Sequence, residues 1–243
     1  MMLERVFIED FDGETLGGTT FNHLKNVLRM RIGDIFAGYD GHYVWELRIS
    51  NIQRSRISVA VISKEPIAEV PASGITIGAA VIKGGRWDWM LEKLTEIGVG
   101  KIVPILAERS VVKLNDAEEI DSKMSKWNRT LNSSSAQCSG IPPLLLAPTS
   151  LSDFFRITSN LSNKLIMAKN DVAVNISEAM KGDTGKSAAI LVGPEGDWSE
   201  EELGSAISAG FIPVTTGVRI LRSETAVVSA AAIASVLLNS EKN

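Results

Sequence analysis

Ala188-Ala-Ile-Leu-Val192-Gly-Pro-Glu-Gly-Asp197-Trp-Ser199-Glu-Glu-Glu202 decides the fold class. Five apolar residues run into a glycine- and proline-containing loop, and the chain leaves it through Ser199 with Glu202 three positions on. That spacing is the reciprocal cap that starts a helix. The stretch therefore reads strand, loop, helix. Gly193 and Gly196 let backbone approach a ligand closely, and Pro194 stiffens the turn between them.

The same order repeats on either side. Ile75–Ile82 is an apolar strand, and 86–98 is a helix with Trp87, Met90, Leu91 and Leu94 on one face and Gly98 at its C-terminal end. A strand at 102–107, a helix near 121–137, a strand at 164–168 and a short helix near 175–181 lead to the central stretch. After it come a helix at 199–209, a strand at 211–215 and a helix at 223–239. Alternation of this kind predicts a parallel sheet covered on both faces. Ligands of such sheets sit at the carboxyl ends of the strands, so the βα turns are where chemistry is expected.

Residues 1–65 have another rhythm. Tyr43, Trp45, Leu47 and Ile49 alternate with polar or smaller residues after the turn signal Asp40-Gly41, and Ile57, Val59 and Val61 repeat the period of a half-buried strand. One helix interrupts, with Phe21, Leu24, Val27 and Leu28 on its apolar face. Short strands with one helix predict a small β-barrel. The stretch 63–74, SKEPIAEVPASG, has two prolines and no periodicity and is the expected linker. The domains are therefore expected at 1–70 and 71–243.

Composition narrows the function classes. The 44% apolar and 22% charged content fits a globular chain with a core. The N-terminus carries acidic residues where an export signal is apolar. The longest apolar run, Ala226–Leu238, spans 13 residues and contains Ser229 and Ser235, short of the about 20 that cross a bilayer. One cysteine and two histidines leave little for a His/Cys metal cage, and no metal is expected. Cys138 cannot form an internal disulfide, which fits a reducing compartment. The net charge of −4 means that nucleic acid would be held by local basic clusters rather than by bulk charge.

Other motifs fall away. Lys181–Ser187, KGDTGKS, lacks the first glycine of a phosphate loop and runs into a strand instead of a helix, so it reads as a surface turn. His23, His42 and Cys138 have no partner group near them in sequence. The turn Thr215-Thr-Gly-Val-Arg-Ile-Leu-Arg-Ser-Glu-Thr-Ala226 is different. Arg219 and Arg222 flank Ile220 and Leu221 just ahead of an apolar helix, a composition suited to packing an aromatic ring beside a polar or anionic group. Lys83-Gly-Gly-Arg86 ends another strand on the same edge and is a candidate phosphate-contacting corner.

Four stretches in this order resemble the SPOUT superfamily, specifically the bacterial enzymes that methylate N3 of a uridine in 16S ribosomal RNA of the small subunit. They are His23-Leu-Lys-Asn-Val-Leu-Arg29 with Gly33-Asp34 and Asp40-Gly41; Lys83-Gly-Gly-Arg86 through Glu92-Lys-Leu-Thr-Glu-Ile-Gly-Val99 with Glu108-Arg-Ser110; Gly193-Pro-Glu-Gly196; and Gly217-Val-Arg-Ile-Leu-Arg-Ser-Glu-Thr-Ala226. Asp197 stands where that family usually has a second glycine, and Ala136-Gln-Cys-Ser-Gly140 stands where it has Glu-Gln-x-Gly-Arg. The resemblance implies a PUA-like β-barrel for RNA contact, an α/β-knot domain with a trefoil knot, S-adenosylmethionine as cofactor, a homodimer and a cytoplasmic enzyme. It implies that Val192, Gly193, Pro194, Glu195, Gly196, Thr216, Gly217, Ile220, Leu221 and Thr225 hold the cofactor. A side chain at Gly196 would then project toward its adenosine. Arg222, Glu224 and Arg86 are the expected catalytic residues, with Glu224 a proton acceptor or an orienting group. Arg5, Lys25, Arg29, Arg31 and Lys83 are the expected RNA contacts. A catalytically weakened ribosome-assembly factor of the same fold, or a small-molecule α/β enzyme, remains as an alternative. The final helix, apolar or small all round, is expected to be covered on every face.

Overall fold

The computed structural model describes residues 3–9, 11–66, 74–114, 116–138, 140–169, 172–181 and 187–239. Two compact units divide the chain, one of residues 1–70 with 132–142 and one of 71–131 with 143–243.

The first unit holds β1 (Arg5–Phe7), β2 (Thr15–Leu16), α1 (Gly18–Asn22), β3 (Ile35–Tyr39), β4 (Tyr43–Ile52) and β5 (Ile57–Pro66). Its strands form one sheet in the order β1-β3-β4-β5-β2, antiparallel except for the β1–β3 pair, curled into a half-barrel. Register shifts at Glu46/Leu47 and Ile49/Asn51 bend β4 where it crosses the unit. Inward residues Val6, Ile8, Phe36, Leu47, Ile49 and Ile57 pack with Leu16, Phe21 and Leu24.

Two expectations for this unit change. The predicted single helix is α1 followed by a π-turn, His23–Val27, with the Leu28 N–H donating to the His23 carbonyl five residues back. The wider turn rotates the face, so Val27 is 65% exposed while Phe21 and Leu24 stay buried. The expected linker begins later than residue 63, because β5 continues to Pro66. Its residues 67–73 lie outside the described ones, as do 182–186 of the turn at 181–187.

In the second unit the chain runs β6 (Ile75–Ala80), α2 (Gly85–Ile97), β7 (Lys101–Ile105), α3 (Ala117–Cys138), β8 (Leu144–Leu145) and α4 (Leu151–Ile157). It continues with β9 (Asn163–Met167), β10 (Val174–Asn175), α5 (Ile176–Ala179), β11 (Ala188–Val192), α6 (Glu200–Ser208), β12 (Ile212–Thr215) and α7 (Ser223–Asn239). The last turns of α3, from residue 132, group with the first unit. Every strand pair is parallel, in the order β10-β12-β9-β11-β6-β7-β8.

Both faces of this sheet are covered, which explains its continuous apolar strands. Ala188, Ile190 and Val192 of β11 pack into one cluster with α2 and α7, while Ala189 and Leu191 pack into another with Phe154, Ala206 and Phe211. Gly98 ends α2 in the left-handed region at φ +84°, as its place in sequence predicts. β8, α4 and β10 were not expected. Each is short, and α4 alone carries a local signal: the Ser150 hydroxyl accepts from the Asp153 N–H.

The strand order has one consequence for function. β9 lies between β11 and β12, so the chain crosses β9 to reach its other side between those two strands. The loops after β11 and β12 therefore leave the sheet on either side of β9, a topological switch point.

Candidate active site

A cavity of about 550 Å³ opens at that switch point, within the usual range for small-molecule sites. It is lined by Met167, Ala168, Lys169 and Ala173 beyond β9, by Val192–Glu195 and Asp197 beyond β11, and by Thr215–Ser223 and Ala226 beyond β12.

The first wall is shaped by its cap and by a tryptophan. The Ser199 hydroxyl accepts from the Glu202 N–H, and the Glu202 carboxylate accepts from the Ser199 N–H at 2.9 Å. Trp198 is buried and donates its indole N–H to the Met167 carbonyl at 3.2 Å, tying the loop to the end of β9. A Cβ built at Gly193 would lie 3.2 Å from the Trp198 ring, so the residue must be small there. Asp197 has φ +61°, the left-handed region, which Asp tolerates better than most side chains and glycine best. That is the physical reason a second glycine would suit this position. The Asp197 carboxylate also accepts from the Trp198 N–H at 2.9 Å.

The second wall begins at Thr215, whose hydroxyl donates to the Gly217 carbonyl at 2.8 Å. The loop then carries Val218, Arg219 and Ile220 outward; Val218 and Ile220 are exposed. It closes into α7 at Ser223, with the Ala226 N–H donating to the Arg222 carbonyl.

Arg86 connects the corner of α2 to both walls. Its guanidinium donates to Glu195 Oε1 at 2.7 Å and lies 3.9 Å from Glu224 Oε2. Glu224 is 7% exposed, and its Oε2 has no hydrogen bond. A charge-assisted contact of this kind fixes geometry as well as charge.

Of the ten expected cofactor residues, Val192, Gly193, Pro194, Glu195, Thr216, Gly217, Ile220 and Leu221 line the cavity. Gly196 and Thr225 do not. A Cβ on Gly196 would meet Arg109, 3.1 Å from its Cβ and 3.3 Å from its carbonyl oxygen, so a side chain there points at the 107–110 turn and away from the cavity. The expectation of a projection toward adenosine is corrected accordingly. Thr225 is the third residue of α7 and is exposed. Among the expected catalytic residues Arg222 lines the cavity, whereas Arg86 and Glu224 stand behind its wall as a joined pair.

The expected RNA contacts fall on both units. Arg5 sits on β1 with its guanidinium 5.9 Å from the Tyr39 ring, and Lys25 lies 5.1 Å from the Phe21 ring. Arg29 is exposed at φ +55°, just beyond the π-turn, with exposed Arg31 two residues on. Lys83 is exposed ahead of α2 in the second unit.

Met167, Ala168, Lys169 and Ala173 were missed by sequence reasoning. The rule that ligands sit beyond strand carboxyl ends applies to β9 as much as to β11, and would have pointed to them. The Arg109 guanidinium, donating to the Gly196 and Trp198 carbonyls at 3.4 and 3.3 Å, was also missed as a loop tie. Among the described residues no group of three or more His, Cys, Asp or Glu could hold a metal ion. None of the described helices is long and apolar enough to cross a membrane.

Residues 69–235 match the model of an RNA methyltransferase domain, and residues 16–62 match that of an RNA methyltransferase PUA domain. Relatives named ribosomal RNA small subunit methyltransferase E include one from Synechocystis, 27% identical over 93% of this chain and 74% of its own. Another, from Bacillus subtilis, is 25% identical over 90% of this chain and 88% of its own. A Legionella pneumophila methyltransferase solved with bound SAM superposes with a TM-score of 0.83 at 26% identity, covering 99% of this chain and 98% of that one. Ribosomal RNA small subunit methyltransferase E of Neisseria gonorrhoeae, bound to S-adenosyl methionine, gives 0.73 at 27% identity, with 96% of each chain covered.

Proposed function

Because this chain belongs to the RNA methyltransferase family, we propose that it is an S-adenosylmethionine-dependent enzyme that methylates N3 of a uridine in 16S ribosomal RNA. The observation that carries the reading is the cavity at the β9 switch point, walled by the Val192–Asp197 and Thr215–Ser223 loops. Its apolar members, Val192, Ile220, Leu221 and Ala226, suit an adenine ring. The backbone groups beside Gly193 and Gly217 can reach a ribose or amino-acid group without side-chain interference. The relatives named for small-subunit RNA and the two neighbours solved with this cofactor support the same assignment. They give no support to a weakened assembly factor.

S-adenosylmethionine supplies an electrophilic methyl group on a sulfonium. The protein's part is to hold donor and acceptor in line, which provides much of the acceleration in such transfers. The loops beyond β11 and β12 bind and orient the adenosine. Transfer would form the N3–methyl bond, leave the donor as its thioether and release the N3 proton to solvent water. Arg222, on the cavity wall, stabilises the negative charge that develops on the uracil imide, or binds the adjoining phosphate. The base must be unpaired to enter. Arg86 acts at one remove, holding Glu195 and Glu224 so that the two cofactor walls keep their spacing. RNA affinity comes from Arg5, Lys25, Arg29 and Arg31 of the first unit, with Lys83 near the site.

The enzyme works as a cytoplasmic homodimer through α7. Ala226, Val227, Ala230, Ala231 and Ala234 are buried against α2 and the sheet, while Val228 and Ala232 on the other side are only half-buried. An apolar helix with an uncovered side is accounted for by a second copy.

The test is a transfer assay with methyl-labelled S-adenosylmethionine and small ribosomal subunits, followed by mapping of the modified base. Label at N3 of one uridine of 16S RNA is the expected result. Cofactor binding with no label on any RNA would overturn the catalytic reading in favour of an RNA-binding factor.

A further inference from the structure

We propose that Lys169 receives the carboxylate of the cofactor's amino-acid end and so determines that the site takes the intact amino-acid nucleoside. The inference rests on the cofactor assignment above. It begins from a charge imbalance in the cavity. Five charged side chains line it: Lys169, Arg219, Arg222, Glu195 and Asp197. The acids are already engaged, Glu195 with Arg86 at 2.7 Å and Asp197 with the Trp198 N–H at 2.9 Å. Among the described residues the three cations have no ion-pair partner. The N-terminus of α7, which opens at Ser223 on the same wall, adds further positive potential. A concave site that sets three cations against the one acid not paired with a cation, Asp197, is built to receive anions.

Their positions separate the tasks. Arg219 and Arg222 belong to the loop beyond β12, where Val218 and Ile220 face solvent, so they stand at the mouth from which a polynucleotide must approach. Lys169 follows β9 by two residues, and β9 is hydrogen-bonded between β11 and β12. The Ala168 N–H donates to the Val214 carbonyl at 3.2 Å, which fixes the backbone just before Lys169. Lys169 therefore rises between the two walls that flank the cofactor. S-adenosylmethionine carries one carboxylate, and an ammonium group on a long flexible stem can meet it as a point charge.

The experiment is calorimetry on the full chain with two ligands, S-adenosylmethionine and its decarboxylated analogue, which lacks only the carboxylate. Lys169→Ala is expected to weaken S-adenosylmethionine by about tenfold, the size of one charge-assisted hydrogen bond, and to leave the decarboxylated analogue unchanged. Lys169→Arg should restore most of the loss. Equal weakening of both ligands would assign Lys169 to the shape of the loop and overturn the proposal. So would unchanged affinity for S-adenosylmethionine, which would leave Lys169 to the RNA. Absence of binding by the unaltered protein would instead refute the cofactor reading itself.

Discussion

At the scale of single residues, the site separates groups that touch ligand from groups that hold the wall. Arg222 lines the cavity and has no ion-pair partner among the described residues, so Arg222→Ala should bind S-adenosylmethionine normally in calorimetry. Methyl transfer should fall by ~2–4 kcal/mol of transition-state stabilisation. A matching loss in cofactor affinity would move Arg222 into the binding site proper. Gly196→Val acts elsewhere. Its side chain meets the Arg109 backbone and Cβ, and the cost is overpacking of about 1–3 kcal/mol, read as lowered thermal stability. Cofactor affinity should fall only as far as the loop shifts. The glycines at 193 and 196 were legible in the sequence as places of close approach. What each approaches, Trp198 in one case and Arg109 in the other, was not, because those contacts come from tertiary folding. Lys169 was legible only as a residue beyond a strand's carboxyl end; that its loop rises between the two walls follows only once β9 is known to lie between β11 and β12.

At the scale of elements, local signals were reliable wherever they sat at a chain end of a helix or strand. The Ser199–Glu202 cap and Gly98 formed as their spacing predicts. The π-turn at 23–27 could not be read, since an apolar pattern cannot tell an α-turn from a wider one. The β3–β4 connection offers a test of a predicted turn. Gly41 has φ +93°, and the Asp40 carboxylate accepts from the backbone N–H groups of His42 and Tyr43 and from the Trp45 indole. Burial alone would raise its pKa; these hydrogen bonds outweigh burial and hold it below the ordinary carboxylate value. The stability this group contributes is therefore full above the pKa of an unfolded aspartate and is lost as pH falls through the lower folded one. Asp40→Asn should cost about 1 kcal/mol at neutral pH, discounted for solvent screening. In denaturant titrations the gap to the unaltered protein should close on acidification. A gap that stays constant down to pH 3 would mean that the ionised carboxylate adds nothing.

At the scale of the whole molecule, composition left RNA binding to local clusters, and the net charge of −4 makes that a quantitative expectation. Neutralising Lys25, Arg29 and Arg31 together should flatten the salt dependence of RNA binding by about three units of slope, one per released counterion. An unchanged slope would place the RNA on another surface. The division into a mostly antiparallel sheet and a wholly parallel one was legible from the change of period near residue 65. The order of strands in the parallel sheet was not, because periodicity records which residues are buried and not which strand lies beside which. Trp198 turns that hidden order into an optical signal. Its indole is pinned to Met167, packs against Gly193, and is shielded from water behind these two lining residues. Filling the cavity changes the polarity beside one ring of the chain's five tryptophans. Fluorescence emission should therefore shift in proportion to cofactor occupancy, and Trp198→Phe should silence the response while the other four rings still emit.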